Sequence, residues 1–67
     1  MDLPIIAVYG GDVIQTAVKH DEASGEYVVE HWKRSTIATH RYIHLFGTDV
    51  RTTNKQQALD TALNAAR

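Results

Sequence analysis

The segment HWKRSTIATHRYIH, residues 31–44, gathers the side chains best suited to chemistry. It holds His31, His40 and His44, the only tryptophan (Trp32), Tyr42, and the bases Lys33, Arg34 and Arg41, with no carboxylate among them. His40 and His44 lie four apart, which places them on one face of either a strand or a helix. His31 could join them, and neutral imidazoles suit zinc. The same segment argues against a site. Arg41 stands where an H-E-x-x-H motif has its glutamate, and a neighbouring cation disfavours a dication. The expectation is no metal and no cofactor, with the histidines solvated or hydrogen-bonded at the surface.

Nucleophilic catalysis has little to work with. Ser24 and Ser35 each fall in an expected turn, no G-x-S-x-G elbow exists, and cysteine is absent. The run YGGD lacks the lysine and the strand-to-helix setting of a phosphate loop. A small domain also leaves little room for a concave pocket of the usual size, about 300–1,000 Å³. No catalytic residue is expected, and the protein is not expected to be an enzyme.

The elements that position these side chains must fit into 67 residues, expected to form a single domain, 1–67. A chain of this size buries only about 60% of the surface its unfolded form exposes, so its stability is marginal. Without cysteine, disulfides and thiolate sites are excluded. Extra stability is then expected from a partner or a second copy. No apolar run reaches the roughly 18 residues of a membrane span, and MDLPIIAVYGGD has no basic stretch ahead of its apolar run. A cytoplasmic location is the expectation. The formal net charge of -1 conceals an asymmetry. Residues 1–30 carry Asp2, Asp12, Asp21, Glu22, Glu26 and Glu30 against Lys19. Residues 31–67 carry Lys33, Arg34, Arg41, Arg51, Lys55 and Arg67 against Asp49 and Asp60. These charges either neutralise one another across neighbouring strands or form a bipolar surface.

LPIIAVY is an apolar, β-branched run with Pro4 at its start, where a strand tolerates proline. Gly10-Gly11 then reads as a two-residue hairpin loop. DVIQTAVKH is a second strand, DEASG a five-residue connection, and EYVVEHWK a third strand. Counting across these turns pairs Val8 with Val13, Val18 with Val28, and Ile14 with Trp32. One face then gathers Leu3, Ile5, Ala7, Tyr9, Ile14, Val18, Val28 and Trp32, with Glu30 as its one misfit. The other face, with Tyr27, Val29, His31 and Lys33, is too apolar to be wholly solvated. Residues 36–46 fit a strand through their threonine and isoleucine content. They also fit a helix, with Ala38, Tyr42, Leu45 and Phe46 on one stripe, Ser35 as cap and Gly47 as stop. TNKQQALDTALNAAR is a helix rich in strong formers, with Thr53 and Gln56 as a capping box and Ala58, Leu59, Ala62, Leu63 and Ala66 as its apolar stripe. The fold class is α+β: an antiparallel three- to four-stranded β-meander with one C-terminal α-helix packed on the sheet.

Two binding functions suit this architecture. The sheet, with Trp32 and Tyr42 beside Lys33, Arg34, Arg41, Arg51 and Lys55, could stack on bases and meet phosphates. A three-stranded sheet backed by a helix that opens RTTNKQQALDTA resembles the DNA-reading arm-binding domain of phage integrases and its plant transcription-factor relatives. The sequence pI of about 6.4 is low for such a module. Protein contact is the other function. Trp, Tyr and Arg dominate interface hot spots, and the proposed contact set is Tyr27, His31, Lys33, Arg34, Arg41 and Tyr42. The opening PIIAVYGGDVIQTAVK, followed by a meander and a capped helix, resembles the small phage-encoded anti-CRISPR proteins. That resemblance implies a non-catalytic inhibitor that acts by mimicry or steric blocking of a larger complex in the host cytosol, with no cofactor. The reading is therefore a small protein-binding regulator, able to act as a homodimer, with nucleic-acid binding as the alternative.

Overall fold

A computed structural model describes residues 3–37 and 41–66. In chain order the elements are β1 (Ile5–Gly10), β2 (Ile14–Asp21), β3 (Glu26–Arg34), β4 (Tyr42–His44), β5 (Val50–Thr52) and α1 (Lys55–Ala66). All neighbouring strands pair antiparallel, in the order β1-β2-β3-β4, and β5 pairs with β3. This is the expected α+β meander with its C-terminal helix, extended by one short strand. β4 lies along the last residues of β3 and β5 along the first, so together they form one interrupted edge strand. Residues 42–44 of the ambiguous segment are strand, because they pair with Trp32, Lys33 and Arg34. His40, with its expected partnership to His44, lies outside the described residues.

The hairpin registers differ from the counting prediction, and the difference in the second hairpin decides which face each β3 side chain takes. Pairing of β1 with β2 continues through Gly10↔Gln15, so the loop moves on to residues 11–13. Gly10 sits where a Cβ would lie 2.7 Å from the Gln15 Cα and from the Ile14 carbonyl oxygen, so the strands approach this closely only over glycine. The second connection is one residue shorter than expected. Asp21 pairs with Glu26, leaving residues 22–25 as the loop. The Asp21 carboxylate accepts from the Ala23 amide at 3.1 Å, and its carbonyl accepts from Gly25 at 2.8 Å. Gly25 has a φ of 73°, a conformation suited to glycine. Thus Asp21 is held as a strand residue that also starts the turn.

A slip of one residue turns every side chain of a strand to the opposite face. β3 therefore presents Val29, not Val28 or Trp32, beneath the helix. Val18, Val29, Ala58 and Ala62 are fully buried and form the core, with Ala7, Tyr9, Tyr27 and Leu59 packed around it. Small Ala58 and Ala62, from the apolar stripe, let the helix lie close to the sheet. Thr16, also fully buried, donates from Oγ1 to the Ala62 carbonyl at 2.8 Å and ties the sheet to the helix. The cap is Asn54 rather than Thr53. Its Oδ1 accepts from the Gln57 amide at 3.0 Å, and its carbonyl accepts from Ala58.

Candidate functional site: the open face of the sheet

The helix covers one side of the sheet and leaves the other open. Alternation from the paired registers places Val8, Gln15, Ala17, Lys19, Val28, Glu30, Trp32, Arg34, Tyr42, His44 and Arg51 on that open side. A register shift between Ile5 and Ala7 turns Ile5 to it as well, opposite Lys19. Trp32, expected in the core, is thus a face residue, and Glu30 ceases to be a misfit. Its Oε1 accepts from Lys19 Nζ at 3.0 Å and from Trp32 Nε1 at 3.3 Å. The misfit of Glu30 was the signal in the sequence that the third strand needed shifting by one.

Ile5, Val8, Gln15, Ala17, Lys19 and Glu30, together with Trp32 and Tyr42, line a shallow hollow of about 220 Å³. That falls below the usual size of an enclosed small-molecule site. Its walls are apolar where they are most open: Ile5 is 58% exposed and Val8 56% exposed. At one end, Arg34 lies over the Tyr42 ring, 5.9 Å from guanidinium carbon to ring centroid. Arg34 also approaches the Asp12 carboxylate at 4.0 Å, and the Tyr42 hydroxyl donates to the Asp12 carbonyl at 3.3 Å.

Beside the hollow is a ring stack. Trp32 and His44 lie directly opposite each other on β3 and β4, with ring centroids 4.9 Å apart and planes at 20°. Phe46 follows at 4.3 Å from His44, tilted by 55°. His44 Nε2 meets Asp49 Oδ1 at 2.9 Å. The turn at Leu45–Thr48, where the Thr48 amide and hydroxyl both donate to the Leu45 carbonyl, brings Asp49 back to β4.

The expected contact set divides between the two sides. Arg34 and Tyr42 belong to the open face. Tyr27, His31 and Lys33 alternate to the helix side, where Tyr27 stacks on His20 at 4.5 Å and packs on the core. Arg41 is exposed beside Ser35, whose amide donates to the Arg41 carbonyl. The expected basic surface divides too. Arg51 lies 3.8 Å from Asp21 and 3.5 Å from Glu26, while Arg34 meets Asp12. Two bases of the second half are thus paired with acids of the first. Lys33, Arg41 and Lys55 are exposed and make no ion pair among the described residues. Comparison with protein-family models, with curated proteins and with solved structures finds no match.

Proposed function

We propose that the chain is a non-catalytic binding protein that acts through protein contacts on its open sheet face, as a small inhibitor or regulator of a larger assembly. The observation that carries this reading is the exposed apolar rim of Ile5 and Val8 around half-buried Trp32 and Tyr42, on a face that no element among the described residues covers. Aromatic residues and arginine in such a setting are the usual anchors of a protein interface. A hollow this shallow suits a protruding side chain of a partner better than an enclosed substrate. The resemblance of the opening hairpin to anti-CRISPR proteins supports the finer reading of an anti-defence inhibitor encoded by a phage.

Affinity capture from the native cell, read by mass spectrometry and nucleic-acid detection on one eluate, tests the proposal. A partner protein retained by the wild type should bind Trp32→Ala/Tyr42→Ala about tenfold more weakly or worse, the scale of hot-spot loss. Gln56→Ala, exposed on the helix, should bind as the wild type does. Equal binding by all three ends the open-face reading. Nucleic acid in the eluate instead, with affinity for duplex that drops steeply between low and moderate salt, would favour phosphate contact through Lys33, Arg41 and Lys55.

A further inference from the structure

We propose that Glu30, His44 and Asp49 form a binding site for a divalent transition-metal ion of the zinc class. The three residues come from β3, from β4 and from the connection before β5. One donor atom from each lies within 4.8 Å of the other two. Imidazole and carboxylate donors are a zinc set, and three protein ligands leave one tetrahedral position for water or a partner's donor. Bonds of about 2.0–2.2 Å place tetrahedral donors roughly 3.3 Å apart. His44 Nε2 and Asp49 Oδ1 already stand at 2.9 Å, so closure on an ion requires only a small movement of Glu30 and slight opening of that pair.

Two features distinguish this trio from a chance group of surface acids. The side chains of Glu30 and His44 are only 13% and 12% exposed, whereas Asp49 at 35% marks the side open to solvent. The His44 ring is also held in place, stacked on Trp32 and flanked by Phe46, with Nε2 aimed at Asp49. An imidazole fixed in orientation loses less freedom on ligation. One of the two arguments against a metal from the sequence, beside the neighbouring Arg41 cation, was that no carboxylate accompanied the histidines. The fold removes it, because residues 14 before and 5 after His44 in the chain bring theirs to it.

Lys19 is the group that opposes the site. Its ammonium rests on Glu30 Oε1 at 3.0 Å, as does the Trp32 indole N–H at 3.3 Å. Both contacts fall on the same carboxylate oxygen of Glu30. A metal must still bind against the lysine charge or displace it, so removing that charge should tighten binding.

The test uses the untagged full chain, freed of metal with a chelator and titrated with Zn²⁺ and Co²⁺. Calorimetry should find one ion per chain, and cobalt should show a ligand-field spectrum of low coordination number. The fluorescence of Trp32, the sole tryptophan, should change with the same saturation curve. Asp49→Asn and His44→Ala should each weaken binding by about tenfold or more, and Lys19→Met should strengthen it. His20→Ala, on the helix side of the sheet, should leave it unchanged. If His44→Ala fails to fold, ring-proton NMR of the wild type replaces it: zinc should move the His44 resonances more than those of His20 and His31. Sub-stoichiometric binding, equal affinity in Asp49→Asn, or unmoved His44 resonances would each overturn the site.

Discussion

At the scale of the residue, the two sides of β3 differ sharply in what they tolerate. Val29 is fully buried beneath the helix, whereas Trp32 is half-buried on the open face. A lysine at position 32 can carry its ammonium to water, but a lysine at 29 would strand its charge between sheet and helix. Val29→Lys is therefore expected to cost about 3 kcal/mol or more, enough to unfold a domain of this size, while Trp32→Lys should keep a cooperative transition. Thermal unfolding followed by circular dichroism separates the two. The reverse outcome would restore the register in which Trp32 is core. Glu30 teaches the same lesson from the polar side. As a core residue it had no partner; one position over, it meets both Lys19 and Trp32.

At the scale of the element, the existence and type of the first three strands and of the helix were legible, and their boundaries were not. Alternating β-branched runs announced the first three strands, and the density of alanine, leucine and glutamine announced the helix. The helix start shows how fine the remaining choice is. Thr53 and Asn54 are both cap residues, and propensity barely separates them. Asn54 caps because its carboxamide reaches the Gln57 amide, while Thr52 supports the turn by accepting from the Asn54 amide and donating to the Gln57 side chain. Asn54→Ala should accordingly lower stability by about 1 kcal/mol, and Thr53→Ala by less than about 0.5 kcal/mol. Equal losses in chemical denaturation would contradict this assignment. The short β4 and β5 had no such signature. Each is three residues long and forms by pairing with β3, a long-range contact that no local pattern encodes.

At the scale of the whole molecule, the charge asymmetry of the sequence is folded away only in part where strands meet. Arg51 reaches the acids flanking the β2–β3 turn, and Arg34 reaches the β1–β2 connection. Among the described residues, the sheet surfaces open to association are the uncovered face, the short interrupted edge of β4 and β5, and the longer free edge of β1. The β1 edge is blunted by Pro4 at its start and by the irregularity between Ile5 and Ala7, devices that discourage strand addition. If the protein self-associates as proposed from its size, the open face is the better contact. Sedimentation should then show a dimer that persists in Ile6→Lys and is lost in Trp32→Lys. A dimer lost only in Ile6→Lys would move the contact to the edge, and a monomeric wild type would end the homodimer proposal.

Composition and periodicity by themselves determined the class of fold, the meander order, the alanine face of the helix and the absence of any thiol chemistry. Those properties follow from local propensity and from the count of apolar positions, and both are written along the chain. Tertiary structure alone decided the register of β3, and with it which side of the sheet bears Trp32, Glu30 and Arg34. A two-residue side-chain period makes both faces equally periodic, so the pattern cannot choose between them. Asp21 and Gly25 close the turn one residue tighter, and the helix settles on whichever face presents Val18 and Val29. The meeting of His44 with Glu30 and Asp49 is also a tertiary outcome: the pairing of β4 with β3 sets His44 opposite Trp32, two residues from Glu30 on the same face of the strand.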